Sequence, residues 1–261
     1  MKKLTLTLAL FFAALPSLAL GESISFAGHT FTAYLTSHGR AFHHDWFGGK
    51  NTIRVHRGDE YSIVVQNPLP VRVAAAVTVD GLNTIDGESG RVADGTKWII
   101  EPYSSITISG WQTDDNHRRR FVFTEPRHSY ARWREYRDGR YYSHKLGEVK
   151  IAYFWNSHEL NRALHRRHFY YKGHGYSRDS SNAKRRVRPE AEALGDKAGT
   201  GMGYRERNPV REVDFHPNTG MYSEHNALTI YYRLAHYNYH PQPHPYPEPP
   251  LRYRNYVPEM P

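Results

Sequence analysis

The sequence contains no cysteine. Disulfide bonds are therefore excluded, and so is an N-terminal lipidated cysteine as a membrane anchor. No run of roughly 18 or more apolar residues follows Leu20, so we expect no transmembrane segment after that residue. The fold must then depend on its own core, and a chain of this size can bury roughly 70% of its unfolded surface.

The N-terminus has the pattern of a secretory signal. Lys2 and Lys3 precede the apolar run 4–15, which is too short to cross a bilayer, and Ser17 and Ala19 supply small residues before a cleavage point. We predict a signal peptide over residues 1–21. The mature protein is then expected in the periplasm or outside the cell.

Positive charge is concentrated in one part of the chain. Of a formal net charge of +9, the stretch from Asp114 to Pro189 holds 19 Lys or Arg against 8 Asp or Glu, and the remainder is slightly acidic. Such a field attracts polyanions. For an exported protein, an anionic glycan, lipopolysaccharide or a lipid headgroup is expected before nucleic acid. The alternative is a basic surface that only maintains solubility.

Short segments of alternating polarity, separated by turn residues, predict strands. The fold class we predict is mainly β: an antiparallel β-sandwich or partly open barrel with one short helix and an irregular C-terminal region. Asp80-Gly81 is predicted as a tight hairpin turn rather than part of a calcium loop. The candidate strands are His29 to Leu35, Glu60 to Gln66, Val71 to Val79, Lys97 to Ile100, Ser104 to Gly110, Arg120 to Thr124 and Glu148 to Trp155.

The rest of the chain is divided by composition. Ser157 is predicted to cap a basic helix that ends near His168, and Arg211 to Phe215 and Ala227 to Leu234 are predicted to form a terminal hairpin. Eight prolines in the last 25 residues indicate an extended tail. The predicted organisation is a β-sandwich domain over 22–156, a basic helix and linker over 157–189, C-terminal strands over 190–236 and a Pro/Tyr-rich tail over 237–261.

Around the predicted central hairpin the chain resembles a family of uncharacterised exported bacterial proteins. The most specific segment is Val79-Asp80-Gly81-Leu82-Asn83. The resemblance implies a fold and export, but no activity, and neither Arg132 to Lys145 nor the tail past Tyr237 follows its pattern. The segments that carry it are Tyr61 to Asn67, Val77 to Gly87, Ile108 to Trp111, Phe121 to Thr124, Ser129 to Ala131, Gly147 to Phe154, Gly199 to Gly203 and Pro209 to Phe215.

Arginines and aromatic rings are interleaved in the basic stretch. Guanidinium forks and ring faces together can bind a glycan that carries phosphate or carboxylate. The alternative is that arginine stems and rings cover each other on a solvated hairpin around Asp138-Gly139. The predicted binding residues are Arg127, Arg132, Trp133, Arg134, Tyr136, Arg137 and Arg140, with Arg166 and Arg167 of the basic helix.

The 17 histidines raise the question of a transition metal. The best cluster is His38, His43, His44 and Asp45 in a Gly-flanked loop, which forms a site only if the chain turns there. The alternative is a set of ordinary polar loop residues. No other cofactor is predicted.

Motifs for catalysis are missing from the sequence. There is no cysteine nucleophile and no Gly-x-Ser-x-Gly elbow, and Gly199 to Gly203 lacks the Lys-Ser or Lys-Thr ending of a phosphate loop. That glycine-rich segment is predicted as a flexible turn. Three hypotheses remain: a noncatalytic protein that binds an anionic component, a structural protein whose sheet edge or Pro-rich tail binds a protein partner, and a metal-dependent enzyme using His38 to Asp45.

Overall fold

The computed structural model describes residues 21–168 and 197–235. The predicted signal peptide up to residue 20, most of the predicted linker and the predicted tail over 237–261 lie outside the described residues. The described chain is mainly β, with two multistrand sheets and two α-helices. This confirms the predicted β-sandwich-like class, although one helix was expected rather than two.

The first sheet follows the order β1-β2-β6-β12-β11, with three further strands paired to this path. All of its pairings are antiparallel, and the path ends at β1 on one side and at the short strand β11 on the other. Its strands are β1 Glu22–Phe26, β2 His29–Ser37, β3 Arg40–Ala41, β6 Glu60–Gln66, β10 Ser105–Ile108, β11 Gly110–Gln112, β12 His117–Thr124 and β14 Gly199–Arg207.

The second sheet follows the order β4-β5-β16-β13-β7-β8, with β9 paired to β7 and β15 paired to β13. Its β5 and β16 run parallel, in contrast to the wholly antiparallel pairing that was predicted. Its strands are β4 His44–Phe47, β5 Lys50–Val55, β7 Val73–Val79, β8 Leu82–Asn83, β9 Lys97–Ile100, β13 Glu148–Trp155, β15 Thr219–Gly220 and β16 Leu228–Leu234.

Aromatic side chains join the two sheets into one core. Phe31 of β2 meets Tyr153 of β13 with ring centroids 4.5 Å apart, and Phe123 of β12 meets Tyr232 of β16 at 5.1 Å. Every residue of β7 is buried, as the apolar run in its sequence predicted. Without a disulfide, these contacts between sheets supply the apolar burial that holds the fold.

Two predictions for the C-terminal strands were wrong. Arg211 to Phe215 has no regular structure, because β16 is already paired with β5 on one side and β13 on the other. The glycine-rich segment is not a turn but the beginning of β14, which pairs with β12. A Cβ on Gly203 would lie 2.6 Å from Val122 Cγ2, so this glycine permits close approach of two strands.

The two helices are α1 Tyr130–Asp138 and α2 Ser157–His168. The bounds of α2 agree with its prediction, but its cap is Asn156, whose Oδ1 accepts from the N–H groups of His158 and Glu159 at 3.0 and 3.2 Å. The presence of α1 corrects the hairpin interpretation of the segment around Asp138-Gly139. Short 3-10 turns occupy Val92–Asp94, Pro126–His128, Ser143–Lys145 and Glu224–Asn226.

Asp80 and Gly81 form the predicted turn between β7 and β8, with φ of 51° and 80°. The Asp80 side chain, however, leaves its own turn and enters the core, where it is fully buried. Its Oδ1 accepts from Gly147 N at 2.9 Å and Tyr232 Oη at 2.6 Å, and its Oδ2 accepts from Thr200 N at 2.7 Å.

The Asp80 hydrogen bonds continue into a chain of hydroxyl groups. Thr200 Oγ1 lies 2.7 Å from the hydroxyls of both Tyr232 and Tyr61. Since Tyr61 and Thr200 belong to the first sheet and Tyr232 to the second, the network fastens the two sheets through polar contacts. Burial raises the pKa of the Asp80 carboxyl to about 7, against the opposing effect of the hydrogen bonds from Tyr232, Thr200 and Gly147.

The raised pKa of Asp80 predicts that stability depends on pH. Between the unfolded value of 3.8 and the folded value of about 7, the folded state holds a proton that the unfolded chain releases. The stabilisation that comes from the raised pKa of Asp80 is therefore fully present below pH 3.8 and is lost as pH rises through about 7. Over this range the free energy of unfolding falls by up to about 1.4 kcal/mol per pH unit.

Urea unfolding of the wild type and Asp80→Asn from about pH 4 to 8 measures this effect, since asparagine does not titrate. We expect the difference in free energy of unfolding, wild type minus variant, to fall with rising pH and then level off. A difference that is constant or increases with pH would contradict the raised pKa.

Candidate functional site

Helix α1 has a clear beginning and end. Ser129 Oγ accepts from Arg132 N at 3.1 Å, and Gly139, with φ of 66°, donates its N–H to the Glu135 carbonyl. The helix buries Tyr130, Ala131, Arg134 and Glu135. Of its remaining side chains, Arg132 and Tyr136 are exposed, whereas Trp133, Arg137 and Asp138 are partly buried.

Arg134 lies on the buried face of α1, not on the outer surface. Its side chain is 4% exposed. Its Nε donates to Asp138 Oδ2 at 2.5 Å and its Nη1 donates to the Gly87 carbonyl at 2.7 Å. Burial opposes ionisation of Asp138, but hydrogen bonds from Arg137 and Arg134 outweigh it and lower the pKa of that carboxyl. Arg134 thus attaches the helix to the turn at Gly87 and positions its neighbours.

The outer face of α1 forms one wall of a first depression of about 560 Å³. Three arginines and three aromatic rings surround it, and both kinds of group are exposed at its rim: Tyr136 is 86% exposed and Tyr141 is 69% exposed. The depression is lined by Arg127, His128, Ser129, Arg132, Trp133, Glu135, Tyr136, Gly139, Arg140 and Tyr141.

Carboxylates compensate much of the charge at this surface. Arg127 Nε pairs with Glu125 at 2.8 Å and Arg132 Nη1 pairs with Glu135 at 2.5 Å. Arg137 pairs with Asp138 and also lies 4.9 Å from the Trp133 ring centroid. Within residues 21–168 and 197–235, by contrast, Arg140 has no carboxylate within ion-pair distance.

A second depression of about 610 Å³ adjoins the first, and Arg140 and Tyr141 line both. Tyr141 stacks on His144, which lines the second depression, with ring centroids 5.4 Å apart. The second depression is lined by Asp80, Gly81, Ser89, Gly90, Arg91, Arg140, Tyr141, Tyr142, His144, Lys145, Lys150 and Glu224.

The turn at Gly81 determines where Lys145 lies. A Cβ on Gly81 would be 2.5 Å from Lys145 Cδ, so the lysine stem packs against the bare glycine, and its Nζ lies 3.4 Å from the Gly90 carbonyl. Lys150 Nζ pairs with Glu224 at 3.0 Å and Glu148 at 3.5 Å. Glu224 also accepts from a backbone N–H of Val92 at 2.9 Å, so its charge is compensated from two sides.

The predicted metal ligands are not brought together. His38 is in a turn with φ of 48°, while His44 and Asp45 are successive residues of β4 and so project to opposite faces. Asp45 pairs with Arg54 at 3.2 Å, and His44 Nδ1 lies 3.3 Å from Glu22. Across the part of the chain that the structure describes, no group of three or more His, Asp and Glu side chains is placed to hold a metal ion.

The sequence prediction and the depressions overlap in part. Of the predicted binding residues, Arg127, Arg132, Trp133, Tyr136 and Arg140 line the first depression, whereas Arg134 and Arg137 do not. The side chains of Arg166 and Arg167 lie outside the described residues.

Of the residues that line the second depression, sequence reasoning identified only Arg140 as a binding residue. The four cations of this depression come from separate parts of the chain: Arg91 precedes the 3-10 turn Val92–Asp94, Arg140 follows α1, Lys145 belongs to the turn Ser143–Lys145 and Lys150 belongs to β13. For the others, the one local signal that the sequence offered is the pair Lys145 and Lys150 on either side of Gly147.

Comparison with known proteins gives no match: no family model, no curated protein and no solved structure matches this chain. The resemblance to exported bacterial proteins therefore stays a prediction. Neither helix in residues 21–168 and 197–235 has the length and apolar character needed to cross a membrane.

Proposed function

We propose that this protein is exported and binds an anionic glycan of the cell envelope or its surroundings through the outer face of α1, without catalysing a reaction. The observation that supports this most directly is the lining of the first depression, which combines Arg127, Arg132 and Arg140 with Trp133, Tyr136 and Tyr141. The proposal is confined to the surface around that depression.

The chemistry of the lining suits a sugar that carries negative charge. Aromatic faces stack against the apolar face of a sugar ring, and arginine forks bind planar oxyanions through two parallel hydrogen bonds. Tyr136 and Tyr141 are exposed and need little rearrangement to make such contacts. Arg140 is the cation with the least compensation, and we assign it the main electrostatic role.

Export supports the choice of ligand. The proposed signal peptide places the mature chain where envelope glycans and lipopolysaccharide are the abundant polyanions. The charge excess between Asp114 and Pro189 would attract them over a distance set by the ionic strength.

Salt-graded capture tests the proposal. Purified mature protein is applied to beads that carry lipopolysaccharide or a carboxylated glycan, with neutral dextran beads for comparison. We expect capture on the acidic beads to fall at least about tenfold between roughly 50 and 500 mM salt, because the Debye length shortens from about 14 to about 4 Å.

Matched variants locate the binding surface. Tyr136→Ala combined with Arg140→Gln should remove most capture, whereas Tyr204→Ala combined with Arg54→Gln should leave it unchanged. Tyr136 and Tyr204 are 86% and 81% exposed, so both pairs remove one exposed ring and one positive charge. Equal capture by the two double variants, or capture that does not respond to salt, would contradict the proposal.

A further inference from the structure

The second depression has an arrangement of charge that the binding of a carboxylated glycan does not explain. Four cationic side chains line it: Arg91, Arg140, Lys145 and Lys150. Arg91 is paired with Asp94 at 2.8 Å, and Lys150 is held between two glutamates. Arg140 and Lys145, in contrast, form no ion pair with a carboxylate among the residues the structure describes.

Negative groups near the second depression are already occupied. The Asp80 carboxylate is fully buried and directed to Gly147 N, Thr200 N and Tyr232 Oη, while Glu224 is bound by Lys150 and a backbone N–H of Val92. Neither acid therefore neutralises Arg140 or Lys145 by direct contact. The depression offers a ligand two cations without an ion-pair partner, Arg140 and Lys145, and of these Lys145 also interacts electrostatically with Glu224.

The position of Lys145 does not depend on the ligand. Its stem lies against Gly81, which has a φ of 80° and no side chain, and its Nζ is 3.4 Å from the Gly90 carbonyl. A cation held in place loses less side-chain entropy when it binds an anion than a free lysine does. This arrangement distinguishes Lys145 from an ordinary surface lysine.

Two cations without an ion-pair partner match a dianion better than a single carboxylate. A phosphate monoester carries about −1.5 to −2 charges near pH 7 and presents three acceptor oxygens. Arginine can bind it through its fork and lysine as a point charge. Because Arg140 and Tyr141 line both depressions, a sugar ring in the first and its phosphate in the second would contact the same two residues.

We propose that the second depression is a phosphate-monoester site and that it makes the protein select phosphorylated over carboxylated glycans. The glycan part of this inference rests on the proposed function. The phosphate part rests only on Arg140, Lys145 and the geometry around Gly81.

Calorimetric titration with glucose 1-phosphate and with glucuronate, at equal ionic strength, tests the selection. We expect glucose 1-phosphate to bind about tenfold more tightly, which is the scale of one additional charge-assisted hydrogen bond. Lys145→Gln and, separately, Arg140→Gln should abolish this preference, while Arg54→Gln, which removes a surface charge elsewhere, should retain it. Equal affinities for the two sugars, or a preference that survives both Lys145→Gln and Arg140→Gln, would overturn the proposal.

The same titrations separate this inference from the proposed function. Loss of acidic-glycan capture, with Lys145-dependent binding of glucose 1-phosphate retained, would support the phosphate site and reject the proposed function. Retained capture on acidic-glycan beads, with no preference for glucose 1-phosphate over glucuronate, would support the proposed function and reject the phosphate site.

A lipid source is tested with phosphatidylcholine vesicles prepared with and without phosphatidic acid. Lys145-dependent binding to the phosphatidic acid vesicles alone, with no binding of glucose 1-phosphate, would overturn the glycan part of the proposal.

Discussion

Asp80→Gly is expected to lower the free energy of unfolding by about 3–5 kcal/mol when measured near pH 5. Glycine tolerates the left-handed conformation of this turn, so the substitution removes the carboxyl group without straining the backbone. Two buried backbone N–H groups, of Gly147 and Thr200, then lose their acceptor, and so does the hydroxyl of Tyr232. Urea unfolding followed by fluorescence measures the loss as a lower midpoint.

Two further variants show whether the network is the cause. Asp80→Asn keeps one acceptor oxygen and should lose about 1–3 kcal/mol, less than the glycine variant. Asp45→Asn alters only the exposed ion pair with Arg54 and should change stability by less than about 1 kcal/mol. A loss in Asp80→Gly no larger than that in Asp45→Asn would show that the network does not fasten the sheets.

Arg134→Met is expected to cost about 3 kcal/mol of stability. Methionine fills the space of the arginine stem, but the Gly87 carbonyl loses a buried donor at 2.7 Å and Asp138 loses one of its two arginines. The amide groups of α1 should then exchange their hydrogens faster than those of the sheets, because the helix loses its attachment to the Gly87 turn.

Arg137→Met is the matched control for Arg134→Met. Arg137 contacts the same Asp138 carboxylate, but its side chain is 24% exposed where that of Arg134 is 4% exposed. Arg137→Met should therefore lower the free energy of unfolding by about 1 kcal/mol or less. Equal losses in the two variants would mean that burial of Arg134 contributes nothing beyond its charge.

Three strands were predicted with their observed bounds. Glu60 to Gln66 and Glu148 to Trp155 match because their alternating or continuous apolar pattern is a local property of the sequence, while Lys97 to Ile100 matches although only Ile100 is buried. The flexible turn predicted for Gly199 to Gly203 was wrong because the pairing of this segment is not a local property. Its glycines serve contacts with β12, a strand about 80 residues earlier, and no local pattern records such a partner.

Helix α1 was missed because its burial is unusual. Its inward face consists of Tyr130, Ala131, Arg134 and Glu135, so half of the buried positions are charged and the apolar period of a helix is hidden. The composition of the segment still predicted a surface of cations and rings. What it did not reveal was which arginines face inward, because that depends on Asp138 and the Gly87 carbonyl meeting in space.

The parallel pairing of β5 with β16 imposes an order on how the molecule is assembled. Strand β16 lies between β5 and β13, yet it is the last strand along the described chain. The second sheet is thus incomplete until residues about 180 positions apart have met, and contacts at such separations form slowly. During synthesis the second sheet therefore stays unfinished until β16 has emerged, and β5 waits with one edge unpaired while most of the other strands are already present.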